Sequence, residues 1–309
     1  MTRFYRIGAL VGVMLAILCQ TALASSLYDI YYHINNLFIQ GSKHGTAVRI
    51  NYRKWFDPNA VAVIVYVHGI ESHSQWFNEA GDYLASRGYN VYAPDRRGSG
   101  LSDGQRGHIQ NSFQWLDDLD KMIDLAHREN PNKPIHLLAN SFGARIAIGY
   151  AIDHPSKISS LILSGPGTHM QLSLPPELLN TVITGYWEYL PIPIEDALFT
   201  DDPEKQAFMA QDQLKLKEVT ANLYKMGELL NVVNLTPPNL KRLTIPVLVL
   251  LATEDKIIDP AGVISGFYNR LQTNKKLVTY DHVEHFLFFE EVAPDVFNEI
   301  IAWTQALNL

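Results

Sequence analysis

The stretch Leu137-Leu138-Ala139-Asn140-Ser141-Phe142-Gly143-Ala144-Arg145 sets a single serine where an apolar, strand-like run gives way at once to a helix-like one. A serine hydroxyl is a weak nucleophile unless a base takes its proton and an acid orients that base. On so tight a corner the serine backbone is strained and its neighbours have to be small; Ala139 at −2 and Gly143 at +2 meet that demand. The turn exposes the hydroxyl beside a helix N-terminus, whose free N–H groups favour negative charge. An ordinary N-cap is the bland alternative for Ser141, but partners follow it in the chain. Asp255 comes just after the strand-like run that ends at Ala252, and His285 lies in the loop after the strand-like 276–280. Serine, acid, histidine is one of the chain orders in which such triads occur.

Each partner has rivals. Glu254 and Asp259 compete with Asp255, though Asp259 precedes Pro260 and reads as a helix cap. His282 competes with His285 and reads as a solvated loop residue. As a metal pair, His282 and His285 lack a recognised carboxylate pattern, so neither metal nor cofactor is expected. The fourth requirement is an oxyanion hole. After the run 61–67, the turn at His68-Gly69-Ile70 aims a backbone N–H toward the serine, and the Ile70 and Phe142 N–H groups are the expected donors. His68 and His73 read as turn-supporting residues. The glycine-rich loop Asp95 to Gly107 lacks the lysine spacing of a phosphate loop and reads as structural.

The elements that would hold these residues alternate. Continuous apolar runs at 61–67, 89–93, 135–139, 158–163 and 246–252, with a further strand at 276–280, suit buried parallel strands. Helical spacing recurs at 76–87, 113–128, 142–152, 261–271 and 294–307, and 44–52 suits an edge strand. The rhythm breaks over 167–243, a proline-marked region of helical pieces with no clear strand. The expectation is an α/β fold: a mostly parallel, doubly wound sheet with an inserted helical cap, its core at 25–166 and 244–309 and its cap at 167–243. In the cap, Tyr186, Trp187, Tyr189, Leu190 and Phe199 either pack together or line an acyl pocket.

The first residues read differently. Arg3 and Arg6 precede an uncharged apolar run from Ile7 to Leu18, and Ala22-Leu23-Ala24 is an A-x-A site. Residues 1–24 are therefore expected to be a signal peptide, with export to the periplasm or beyond; an uncleaved N-terminal anchor is the alternative. The run is short for a membrane span. Cleavage would remove Cys19, the only cysteine, and both arginines, moving the net charge from −7 to −9. With that balance and no basic run, nucleic acid is not an expected partner.

The runs "HGIESHSQW" (68–76), "DRRGSGLSDGQRG" (95–107), "NSFGAR", "ATEDKIIDP" (252–260) and "HFLFFE" (285–290) resemble the α/β-hydrolase family of monoacylglycerol lipases and bacterial lysophospholipases, related to serine aminopeptidases. The resemblance covers about residues 45 to 306. It implies cofactor-free hydrolysis of a small acyl ester or lipid, with Ser141, Asp255 and His285 at the triad positions and Ile70 and Phe142 at the oxyanion positions. The family's usual Gly-His-Ser-x-Gly is here Ala139-Asn140-Ser141-Phe142-Gly143. An aminopeptidase would need cap acids to grip an α-amine, for which Glu177, Glu188, Glu195 and Asp196 are available. An inactive binding module would have lost a catalytic element, and none is missing. Transient membrane contact through an apolar cap edge is a further expectation.

Overall fold

The computed structural model describes the backbone of residues 33–39 and residues 47–172 and 174–307 in full. The expected signal peptide at 1–24 lies outside them. In chain order the first half of the core runs β1 (His33–Ile39), β2 (Val48–Trp55), β3 (Ala62–Val67), α1 (Asn78–Ala85), β4 (Tyr89–Pro94), α2 (Phe113–Glu129), β5 (Ile135–Asn140), α3 (Gly143–Asp153) and β6 (Ser160–Ser164). The next segment holds α4 (Pro176–Thr184), β7 (Tyr189–Pro191), α5 (Pro203–Gln211), β8 (Glu218–Thr220), α6 (Ala221–Asn234) and α7 (Pro237–Arg242). β9 (Val247–Ala252), α8 (Pro260–Gly266), β10 (Lys275–Tyr280) and α9 (Ala293–Leu307) complete the core.

The uninterrupted apolar runs become the centre of one sheet, ordered β1-β2-β4-β3-β5-β6-β9-β10. From β4 to β10 neighbouring strands are parallel; β2 joins β4, and β1 joins β2, antiparallel. β3, β4, β5, β6 and β9 are buried at every position, as strands covered on both faces must be. The segment expected at the sheet edge is in fact second from it. β1 takes the edge, and residues 44–46 of the expected strand lie outside the described ones.

The segment between β6 and β9 is not purely helical. β7 and β8 pair as a short antiparallel ribbon, Leu190 opposite Val219. Each strand spans three residues, too few for a period-two pattern to stand out. Polar bonds tie this cap to the core. Asp212 accepts from Trp76 Nε1 at 2.7 Å and pairs with His73 Nε2 at 2.8 Å, and Thr220 N–H donates to Gly107 O at 2.9 Å. α4 is different: none of its residues is buried, and it packs against α6.

The loop after β4 is held by one carboxylate. Buried Asp95 accepts from Ser74 N–H at 2.7 Å, Leu101 N–H at 2.9 Å and Asn51 Nδ2 at 3.0 Å. It thereby joins its own loop to β2 and to the segment after β3. Truncation leaves two buried donors and one partly buried donor unmet, each buried one costing about 1–3 kcal/mol. Asp95→Ala should lower the urea midpoint by the equivalent of about 3 kcal/mol or more; a midpoint near the wild-type value would deny the carboxylate this role.

Candidate active site

β5 ends at Asn140 and α3 begins at Gly143, so Ser141 and Phe142 make the whole corner. Ser141 has φ +51°, a left-handed conformation that costs a non-glycine residue about 1–3 kcal/mol. Neighbouring backbone holds it there: its N–H donates to Ser164 O at 3.1 Å and its carbonyl accepts from Gly167 N–H at 2.9 Å. A Cβ on Gly143 would lie 2.4 Å from Val67 O and 2.6 Å from His68 O. The start of α3 therefore abuts the end of β3, and only glycine fits.

His285 and Asp255 meet below this corner. His285 Nδ1 lies 2.6 Å from Asp255 Oδ2, and both side chains are almost wholly buried. Asp255 Oδ1 accepts from the N–H groups of Ile257 and Ile258, each at 2.8 Å. A carboxylate only accepts, so the proton is on Nδ1 and Nε2 is left as an acceptor. Nε2 has no hydrogen-bond partner among the described residues, and the Ser141 hydroxyl has none either. The turn that bonds the Ser141 backbone also faces the imidazole: a Cβ on Gly165 would lie 3.0 Å from His285 Cε1. Ser141 and His285 thus flank one short turn at the carboxyl end of β6. The rivals are elsewhere. Glu254 pairs with His282 at 2.9 Å, with the His282 side chain 90% exposed, and Asp259 is the N-cap of α8.

The oxyanion candidates sit in a loop held from behind. Arg96 Nη2 donates to Gly69 O at 2.8 Å and Ile70 O at 3.0 Å. His68 donates from Nδ1 to Gly69 O at 2.9 Å and accepts the Arg96 N–H at Nε2, also at 2.9 Å. Burial holds the His68 pKa well below the usual imidazole range, so it stays neutral in this role. Burial also lowers the Arg96 guanidinium to about 9; it lies 5.1 Å from the Phe142 ring centroid. The Ile70 and Phe142 N–H groups have no acceptor among the described residues. Sequence reading passed over Arg96. Its signal was a cation in a glycine-rich loop directly after a buried strand.

Ile70, Ser141 and Phe142 border a cavity of about 370 Å³. Its lining includes the apolar Leu172, Leu174, Leu179, Val182, Ile192 and Ile194 and the polar Arg145, Thr168, Glu228 and Asn231. Tyr186, Trp187, Tyr189, Leu190 and Phe199 do not line it. Trp187 stacks on His108 at 4.2 Å between centroids and Tyr186 meets the same ring at 5.3 Å, whereas Phe199 is buried against Trp76 and His285. Of the cap acids expected near an amine, none borders the cavity either: Glu188 accepts from Tyr186 N–H at 2.7 Å and Asp196 pairs with Lys215. Glu228 is the acid that does, and sequence reading did not single it out.

Glu71, next to Ile70, is buried with its Oε2 3.0 Å from Lys215 Nζ, and its carbonyl accepts from Leu216 N–H at 2.9 Å. The loop that carries Ile70 is so joined to the segment between β6 and β9 by side chain and backbone together. Burial pushes the Glu71 carboxyl up to about 7, against the pull of Lys215. A raised acid favours the fold most below its ordinary pKa, and that contribution is lost as pH rises through about 7. Glu71→Gln has no such titration, so its stability relative to wild type should improve between pH 4.5 and 7. Urea unfolding of both proteins across that range checks this; parallel pH profiles would contradict it.

The serine aminopeptidase, S33 family profile matches residues 58–292. A monoacylglycerol lipase of Mycolicibacterium smegmatis is 26% identical over 262 residues, covering 83% of this chain and 92% of its own. A phospholipase of Bacillus subtilis is 28% identical over 257 residues, covering 81% and 97%. Among solved structures, a soluble variant of the Saccharomyces cerevisiae monoglyceride lipase, bound to a substrate analogue, superposes with a TM-score of 0.77 at 19% identity, covering 90% of this chain and 96% of that one. By the extent of the profile match and the shared α/β-hydrolase fold, the chain belongs to the serine aminopeptidase, S33 family and is a serine hydrolase.

Proposed function

We propose that the chain hydrolyses single-chain acyl esters, of the monoacylglycerol or lysophospholipid type, through Ser141, His285 and Asp255. The observation that carries this reading is the buried His285–Asp255 pair at 2.6 Å, whose remaining nitrogen has no partner, beside a serine held at positive φ. Ser141 Oγ attacks the ester carbonyl as His285 Nε2 takes its proton, the Oγ–Nε2 hydrogen bond closing as substrate binds. Charge develops on the carbonyl oxygen, which accepts from the Ile70 and Phe142 N–H groups. The imidazolium, stabilised by Asp255, protonates the leaving alcohol, and an acyl-serine remains. Water then gives its proton to His285 as it attacks the acyl carbon; collapse of the second intermediate releases the fatty acid and restores the serine.

The cavity supports a lipid substrate: its volume of about 370 Å³ suits a small-molecule site, and most of its lining side chains are apolar. A peptidase on the same scaffold would need a free cap carboxylate near the serine, and Glu228, the cap acid that borders the cavity, is engaged by Arg145 at 3.0 Å. Ser141→Ala should abolish p-nitrophenyl butyrate turnover with the circular dichroism spectrum unchanged, and His285→Ala should lower kcat by about four orders of magnitude or more. Turnover surviving in Ser141→Ala would refute the assignment.

Export through residues 1–24 and transient contact with a lipid surface belong to the same proposal. Leu179, which borders the cavity, and Ile183 on α4, with Leu229, Val232 and Val233 on α6, are exposed apolar side chains. The mature protein, with Ser25 at its N-terminus by sequencing, should co-sediment with phosphatidylcholine vesicles. Ile183→Glu together with Val232→Glu should weaken that association; an unprocessed N-terminus or unchanged sedimentation would count against these two points.

A further inference from the structure

We propose that Phe199, in the segment between β6 and β9, is a positioning residue for the hydrolysis: its ring holds the His285 imidazole at the angle that proton transfer to and from Ser141 requires. The inference rests on the triad reading above and adds to it a residue from a part of the chain that supplies no member of the triad.

A histidine that shuttles a proton has to be aimed at both edges of its ring. Asp255 fixes one edge, with its Oδ2 2.6 Å from Nδ1. The other edge carries Nε2, which has no hydrogen-bond partner among the described residues. A single hydrogen bond tolerates a broad range of tilt, so packing has to set where Nε2 points. Gly165 supplies part of that packing from the turn after β6. Phe199 supplies another part. It is buried, and its ring centroid lies 5.9 Å from that of His285 at an interplanar angle of 58°. The backbone repeats the contact: the N–H of Phe286, next in the chain to His285, donates to Phe199 O at 2.8 Å.

Phe199 is itself held in place. Trp76 meets its ring edge-on at 5.6 Å between centroids, and the Trp76 indole is pinned by its Nε1 bond to Asp212. The next residue, buried Thr200, accepts from Gln206 Nε2 at its carbonyl at 2.8 Å and from Asp202 N–H at its hydroxyl at 3.1 Å. Asp202 is the N-cap of α5 and Gln206 lies on it, so that helix anchors the strut. Phe199 does not border the cavity, and its contacts therefore bear on the base and not on the substrate. Both half-reactions pass through the histidine. A tilted imidazole slows acylation and deacylation together, which lowers kcat and leaves KM in place.

The test is steady-state hydrolysis of p-nitrophenyl butyrate by Phe199→Ala and Phe199→Leu, with Phe208→Ala as a packing control. Phe208 shares the Trp76 cluster, at 6.3 Å between centroids, and makes no ring contact with His285 among the described residues. Phe199→Ala should lower kcat by about tenfold to a hundredfold with KM changed by less than about twofold. Phe199→Leu restores apolar bulk and should recover part of that loss. Phe208→Ala should lower the urea midpoint while its kcat stays within about twofold of wild type. A wild-type kcat in Phe199→Ala, a loss confined to KM, or an equal loss of kcat in Phe208→Ala would overturn the proposal. Should Phe199→Ala fail to fold, Phe199→Leu decides by the same criteria, with an expected loss of about fivefold in kcat. His285→Ala runs alongside. Turnover surviving there would sink the triad reading itself, whereas an inactive His285→Ala beside an undiminished Phe199→Ala would remove Phe199 alone.

Discussion

Between the Cα of Gly143 and the carbonyl oxygens of Val67 and His68 there is room for a hydrogen atom and little else. That contact presses the start of α3 onto the end of β3. It brings the serine corner, which belongs to β5, against the His68-Gly69-Ile70 turn, which belongs to the neighbouring strand. Any larger residue at 143 would push helix and turn apart, and with them Ile70 and Phe142, which border the cavity. The unfavourable φ of Ser141 persists because Ser164 and Gly167 clamp it on both sides of the peptide. Close packing transmits such constraints because interiors have few voids to absorb them.

Polar groups then fix what the backbone contact brings together. Arg96 is buried and cationic, a placement that is costly unless its donors are matched. Part of the compensation comes from the carbonyls of Gly69 and Ile70, to which it donates. Asp95, one residue earlier, binds the far end of the same segment through Ser74 N–H. The loop after β4 therefore serves as a brace for the loop after β3, although neither of these charged residues borders the serine's cavity on its own strand.

The corner itself was legible in the sequence because its signals are local. An apolar run, a serine and a glycine at +2 lie within nine residues of one another, and the strands beside it are continuous apolar runs. The order of acid and histidine, each just past a strand, placed Asp255 and His285 at the same end of the sheet, where they meet. What was hidden depends on partners far apart in the chain. Arg145 and Glu228 are separated by 83 positions, and only the folded cap joins them. The Glu71–Lys215 pair is likewise a contact between core and cap. Aromatic residues at 186–199 announced packing or pocket lining without deciding between them; Tyr186, Trp187 and Phe199 pack, while the lining residues Leu179 and Val182 went unnoticed.

α4 lends Leu179 and Val182 to the lining of the cavity yet buries none of its own residues. Displacing it exposes little fresh apolar surface, whereas displacing α6 would pull Gly227 off Phe142 and break the Asn234 side-chain bond to Arg145 O. Compliance and rigidity are therefore segregated around one chamber. The flank formed by α4 is free to yield to guests of different girth, while the flank beside Ser141 is held to a single shape.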